Sequence, residues 1–216
     1  EENPKKLAEI IRNKLNIEEN EVKNLHDPKK ILDYYKRLLE EKMNIIIVEY
    51  PLKSNDVRAF AIMKELSIII LNESDSYSIK LFSLFHEFCH LLRKKEGICS
   101  ITMEEEFGEE KYCNEFAAEF LMPEEEFKKI IELDENGINE KSIKEMQRLF
   151  GVTKEAIYIR AVKLNLISKD KYNLYKEKFK NSEKAKSNTH GRNWLTTYKN
   201  RAGELVINEV SNAYEK

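Results

Sequence analysis

The sequence predicts an α+β fold, with a small sheet early in the chain and helices packed around and after it. Three observations carry this. Three short runs rich in Ile, Val and Phe fall between residues 45 and 72. Segments on either side repeat apolar residues at helical spacing. A long apolar stretch, "LFSLFHEFCHLL" (81–92), lies on a helix that is apolar nearly all round and so reads as buried.

The elements follow in order. "NPKKLAEIIRNKL" (3–15) has a Pro near its start and Leu7, Ile10, Ile11 and Leu15 on one face, so it is helical. "DPKKILDYYKRLLEEKMN" (27–44) is a second helix, with Asp27 as N-cap and Pro28 at the first helical position. "IIIVEY" (45–50), "RAFAIM" (58–63) and "SIIILN" (67–72) are strands, the last two joined by a short polar link as a hairpin. A helix spans about 76–94 and another about 106–122, ending before Pro123. "PEEEFKKII" (123–131) is a short helix. Residues 139–167 form two helices broken at Gly151, and 169–180 continue helically. "NSEKAKSNTHGRN" (181–193) is polar and without period, so it reads as a linker before a last helix over about 194–215. The expected division is a catalytic domain over 1–125, a helical region over 126–180, and a linker with a terminal helix over 181–216.

Composition narrows the function. The chain has 216 residues, 41% hydrophobic and 35% charged, enough for one sizeable core and a solvated surface. A net charge of −2 gives no bulk attraction to nucleic acid or anionic membrane. No apolar run reaches the roughly 20 residues of a membrane span. Three cysteines do not make a disulfide framework, which points to a reducing, cytoplasmic compartment. Because the chain begins with Glu, it is expected to be part of a longer protein.

The apolar helix carries His86, Glu87 and His90. Histidines four apart share a helix face, with Cβ atoms about 5–6 Å apart. Two neutral imidazoles at that separation can reach one Zn²⁺ with bonds of about 2.0–2.1 Å. Glu87 is offset around the helix by one residue, where it can take a proton from water at the metal's open position. Leu81, Leu84, Phe85, Phe88, Leu91 and Leu92 cluster on the far side. Buried polar groups left unpaired cost about 1–3 kcal/mol each, and a metal is a shared partner for them. The bland alternative is a pair of core histidines satisfied by nearby acids.

A third ligand is sought in "EEEFGEEKYCNEFAAEFLMP" (104–123). Glu110 shares a face with Cys113, Asn114, Ala117 and Leu121, side chains mostly small enough for close helix approach, and is the chosen ligand. Glu106 is the reserve. Glu115 and Glu119 fall on the opposite side with Lys111 and read as solvated. Cys89 and Cys113 are read as small buried hydrophobes rather than ligands.

These two segments, "SLFHEFCHLL" and "EKYCNEFAAEFLMP", resemble the ImmA/IrrE metallopeptidases, whose HExxH helix precedes an E-x-x-[AC]-N-x-x-A-A-x-x-L-M-P element. "VEYPLKSNDVRAFAIM", "SIIILNES" and "FGVTKEAIYIRAVKLNLI" resemble the neighbouring parts of that family. The resemblance implies a zincin-like core, Zn²⁺ on His86, His90 and Glu110, and Glu87 as catalytic residue. It departs only at Cys89, where the family often has Gly. It also implies a regulatory, cytoplasmic protease that cleaves or relieves a helix-turn-helix repressor, often from a mobile element or stress operon. An extended substrate is expected to pair with an edge strand, for which 67–72 is the candidate. Tyr158 and His190 are possible oxyanion partners that no spacing supports. Two other readings compete. One is a zinc-containing sensor without catalysis. The other is DNA contact through the helical pair at 139–166, where Lys141, Lys144, Arg148, Lys154, Arg160 and Lys163 outnumber Glu145 and Glu155.

Overall fold

The computed structural model describes residues 3–52, 57–93, 97–99, 108–132, 138–183 and 203. Among these the α+β expectation holds. The elements are α1 (Pro4–Leu15), α2 (Glu19–Leu25), α3 (Pro28–Met43), β1 (Ile45–Tyr50), β2 (Ala59–Met63), β3 (Ser67–Asn72), α4 (Tyr77–Leu92), β4 (Gly97–Cys99), α5 (Gly108–Leu121), α6 (Glu124–Glu132), α7 (Glu140–Phe150), α8 (Lys154–Lys163) and α9 (Lys169–Glu183). Local chemistry sets several boundaries. Asn3, Asp27, Ser76, Asn139 and Thr153 each accept a backbone N–H from the first turn of the helix they precede. Gly151 ends α7 at φ 70, a left-handed conformation that costs any residue with a Cβ. Two elements escaped the sequence reading. The α2 segment has no side-chain cap and few apolar residues, and it is held by packing against α3 and α7. The three residues of β4 form a strand through their pairing with β2. The helix α9 runs to Glu183, three residues into the segment expected to be linker. The predicted helix over 194–215 and His190 lie outside the described residues.

The strand order is β1-β3-β2-β4. β1 runs parallel to β3, with Ile45 opposite Ser67, while β2 is antiparallel to both β3 and β4. The predicted hairpin is therefore present, but β3 lies inside the sheet. Its two edges are used by β1 and β2, so 67–72 cannot receive a substrate strand. A run as apolar as "SIIIL" suits that interior position. The sheet edges belong to β1 and β4, and Gly203 stands against the backbone of β1, where an added Cβ would come within 3.2 Å of the Ile47 carbonyl oxygen.

The helix α4 packs on β2 and β3 and is flanked by α3 and α5. Every residue from Lys80 to Leu91 is buried, as expected of a helix apolar nearly all round. Its aromatic side meets α5: the Phe85 and Phe120 rings stack with centroids 4.1 Å apart, and Phe88 meets Phe116 edge-on at 6.3 Å. Tyr35 of α3 closes the cluster against Phe85. Lys80 reaches Glu49, an inward-facing acid on β1, at 2.5 Å, and Lys36 of α3 reaches the same carboxylate at 3.2 Å. Burial alone would push the Glu49 carboxyl up; the two ammonium groups outweigh it and hold it below its usual value.

One expectation about α5 fails. Glu119 is buried, not solvated. Its Oε2 accepts from the Arg160 guanidinium of α8, and its Oε1 accepts the Glu124 N–H at 3.1 Å. The helical-wheel argument gave α5 one buried face, whereas α4, α1 and Arg160 cover it from several sides. Glu115, by contrast, is half-exposed beside Lys163.

Candidate metal centre

α4 and α5 meet where their polar residues face each other. His86 and His90 project from successive turns of α4, ring centroids 4.9 Å apart. Glu110 stands in the first turn of α5. The His86 Nε2 lies 3.0 Å from Glu110 Oε2 and 3.1 Å from His90 Nε2, and His90 Nε2 lies 3.4 Å from Glu110 Oε1. Bonds of about 2.0–2.1 Å at tetrahedral angles would set ligand atoms roughly 3.3 Å apart. The three observed separations bracket that figure, so two imidazole nitrogens and one carboxylate offer a fitting donor set for a metal ion. Both imidazoles are buried, whereas the Glu110 side chain is 31% exposed and opens the site on one side. Glu87 is fully buried on α4 between them in sequence.

Neighbouring groups decide which acid is available. Glu109 is taken by Arg93, the C-cap of α4, whose Nε and Nη2 donate to its two carboxylate oxygens, the second at 3.2 Å. The same guanidinium lies 4.0 Å above the Tyr112 ring. His90, Glu109 and Cys113 also converge. There, however, the acid is held by Arg93, whose Nε and Nη2 occupy both of its carboxylate oxygens, whereas Glu110 faces the two imidazoles.

The structure thus brings the side chains of His86, His90 and Glu110 within reach of one another. Glu106 lies outside the described residues. Tyr158 is buried with its ring stacked on Tyr175, centroids 3.7 Å apart. Sequence reasoning passed over Asn114, whose Oδ1 lies 2.9 Å from His86 Nδ1, and over the Arg93–Glu109 pair. A signal existed for the first: Asn114 is one turn beyond Glu110 on the face assigned to the metal.

A buried helix carrying HExxH, with a glutamate of a second helix beside both histidines, has the pattern by which metal-dependent peptidases are recognised. The family model for the IrrE N-terminal-like domain, Peptidase M78, matches residues 40–162, and the chain belongs to this metallopeptidase family. The match includes all of α4 and α5. No curated protein matches the chain.

Proposed function

We propose that this chain is a zinc-dependent endopeptidase whose ion is held by His86, His90 and Glu110 and whose substrate is a helix-turn-helix repressor. The observation that carries the metal assignment is the mutual spacing of three ligand atoms, 3.0, 3.1 and 3.4 Å. Zinc, when bound, supplies Lewis acidity that polarises a carbonyl and acidifies water. Glu87, next to His86 and buried, accepts the proton of the attacking water and passes it to the leaving amine. Its burial keeps bulk water from competing for that carboxylate. Glu110 balances part of the ion's charge, and its exposed side leaves room for the scissile bond. An extended substrate adds to the sheet at β4, the edge strand that follows α4 in the chain.

The free thiols of Cys89 and Cys113 suit a reducing cytoplasm. Among the described residues no helix is long and apolar enough to cross a membrane. DNA contact by the α7–α8 pair is less favoured. Arg160 is buried against Glu119, and Lys154 is tied to Glu140 at 2.6 Å.

The test is incubation with a helix-turn-helix repressor encoded beside the gene, followed by mass spectrometry. The wild type should cut it, a chelator should stop the cut, and Glu87→Gln should retain zinc while losing cleavage. Undiminished cleavage by Glu87→Gln would remove the proposed mechanism. Zinc binding without any cleavage would favour the sensor reading.

A further inference from the structure

A neutral imidazole has one N–H and one lone pair, and a metal needs the lone pair on the nitrogen that faces it. At His86 the nitrogen turned away from the site, Nδ1, lies 2.9 Å from the side-chain oxygen of Asn114. An amide oxygen only accepts, so this contact selects the tautomer with the proton on Nδ1. An ion shared with Glu110 and His90, which lie 3.0 and 3.1 Å from Nε2, would then take the Nε2 lone pair. Neither ring atom has water as an alternative partner, because His86 is fully buried.

We infer that Asn114 is a positioning residue of the metal centre, fixing the tautomer and the ring plane of His86; this deepens the metal-site reading and rests on it. Its place on α5 makes the arrangement a unit. Glu110 supplies a ligand and Asn114, four residues later on the same face, aims another ligand that belongs to α4. One helix therefore sets two of the three donors. An amide orients without adding charge, so Asn114 aims His86 without placing a second anion on that ring.

The experiment uses the whole chain with one variant that removes the acceptor, Asn114→Ala, and one that keeps it, Asn114→Asp. Zinc affinity is read by competition with a chromophoric chelator. Outer partners of metal-bound histidines are worth about 10–100-fold in affinity. The Ala variant should weaken zinc by that factor, and the Asp variant should bind within a few-fold of wild type or tighter. Long-range ¹H–¹⁵N spectra of the zinc-loaded wild type should show His86 protonated on Nδ1 with slow solvent exchange; with four histidines in the chain, assignment is direct. Any Nε2-bound zinc requires the Nδ1 proton, so the part specific to Asn114 is its slow exchange, and fast exchange in the wild type overturns the inference even if the Ala variant fails to fold. Wild-type affinity in Asn114→Ala, or a zinc-bound His86 protonated on Nε2, would overturn the inference and leave the metal site standing. A wild-type chain that binds no zinc would overturn both.

Discussion

Removal of the Arg160 guanidinium is the sharpest test of how α8 is fastened to α5, the helix that carries Glu110. Arg160→Met keeps most of the aliphatic stem and deletes the charge. In the native chain that guanidinium donates to Glu119 of α5 and to the Met122 carbonyl oxygen, the latter at 3.2 Å. Side-chain exposures of 8% and 7% leave water little access to either partner. The variant therefore strands a buried carboxylate that, among the described residues, keeps the Glu124 N–H as its hydrogen-bond donor. Breaking a buried pair from one side costs about 3–5 kcal/mol. For a chain of this size that is a fall in Tm of about 6–20 °C. Urea denaturation measures the first quantity and calorimetry the second. Neutralising the acid as well, in Arg160→Met/Glu119→Gln, should recover much of the loss, because Gln can still accept from Glu124. A coupling of about 1–3 kcal/mol in the cycle is expected. A loss below about 1 kcal/mol in the single variant, the range of exposed pairs, would refute the claim that Glu119 is buried.

Other expectations concern the site, the acid limb and one turn. Glu110→Ala should lose more zinc affinity than the roughly 10–100-fold that an outer partner costs, whereas Glu109→Ala and Glu106→Ala should retain one zinc by equilibrium dialysis. Glu49 is held below its ordinary value of 4.5, so its contribution to stability is complete above that pH and is lost as pH falls through the native value; Glu49→Gln should flatten this part of a pH–stability curve. Asp75 has the opposite sign: burial raises its carboxyl against the pull of Arg58, so Asp75→Asn should cost least near neutral pH, where the charged form is penalised. Gly151→Ala forces a left-handed residue and sets its Cβ 3.0 Å from Ile31 Cδ1 and Leu81 Cδ2; a loss of about 1–2 kcal/mol in urea is expected.

The legible part of the fold was the part written in local periodicity. Asp27–Pro28 announced α3, Gly151 announced the break between α7 and α8, and the alternation of polar links with Ile-rich runs gave three strands within a residue of their bounds. What escaped was set by partners distant in sequence. β4 is three residues long and exists through its register with β2. The interior place of β3 follows from how β1 crosses to lie beside it, which no property of "SIIILN" encodes. Glu119 looked solvated because a wheel sees only one helix, and Arg160, 41 residues later, is the group that covers it. Asn114 was on the correct face, yet its role as acceptor appears only once α4 is set beside α5.

The selection of Glu110 over its neighbour shows how much the site owes to such distant pairing. Glu109 and Glu110 are adjacent in the first turn of α5, equal in charge and in reach. A helix rotates successive residues by about 100°, which alone separates them only partly. Arg93 completes the separation. As the C-cap of α4 it stands one turn past His90 and takes both oxygens of Glu109. That two-point pair fixes the rotation of α5 about its axis at its N-terminal end. With Glu109 on Arg93, Glu110 faces the imidazoles and Asn114, one turn on, meets His86 Nδ1. A salt bridge outside the candidate donor set thus decides which carboxylate faces the imidazoles, and the same rotation brings the Asn114 amide to His86.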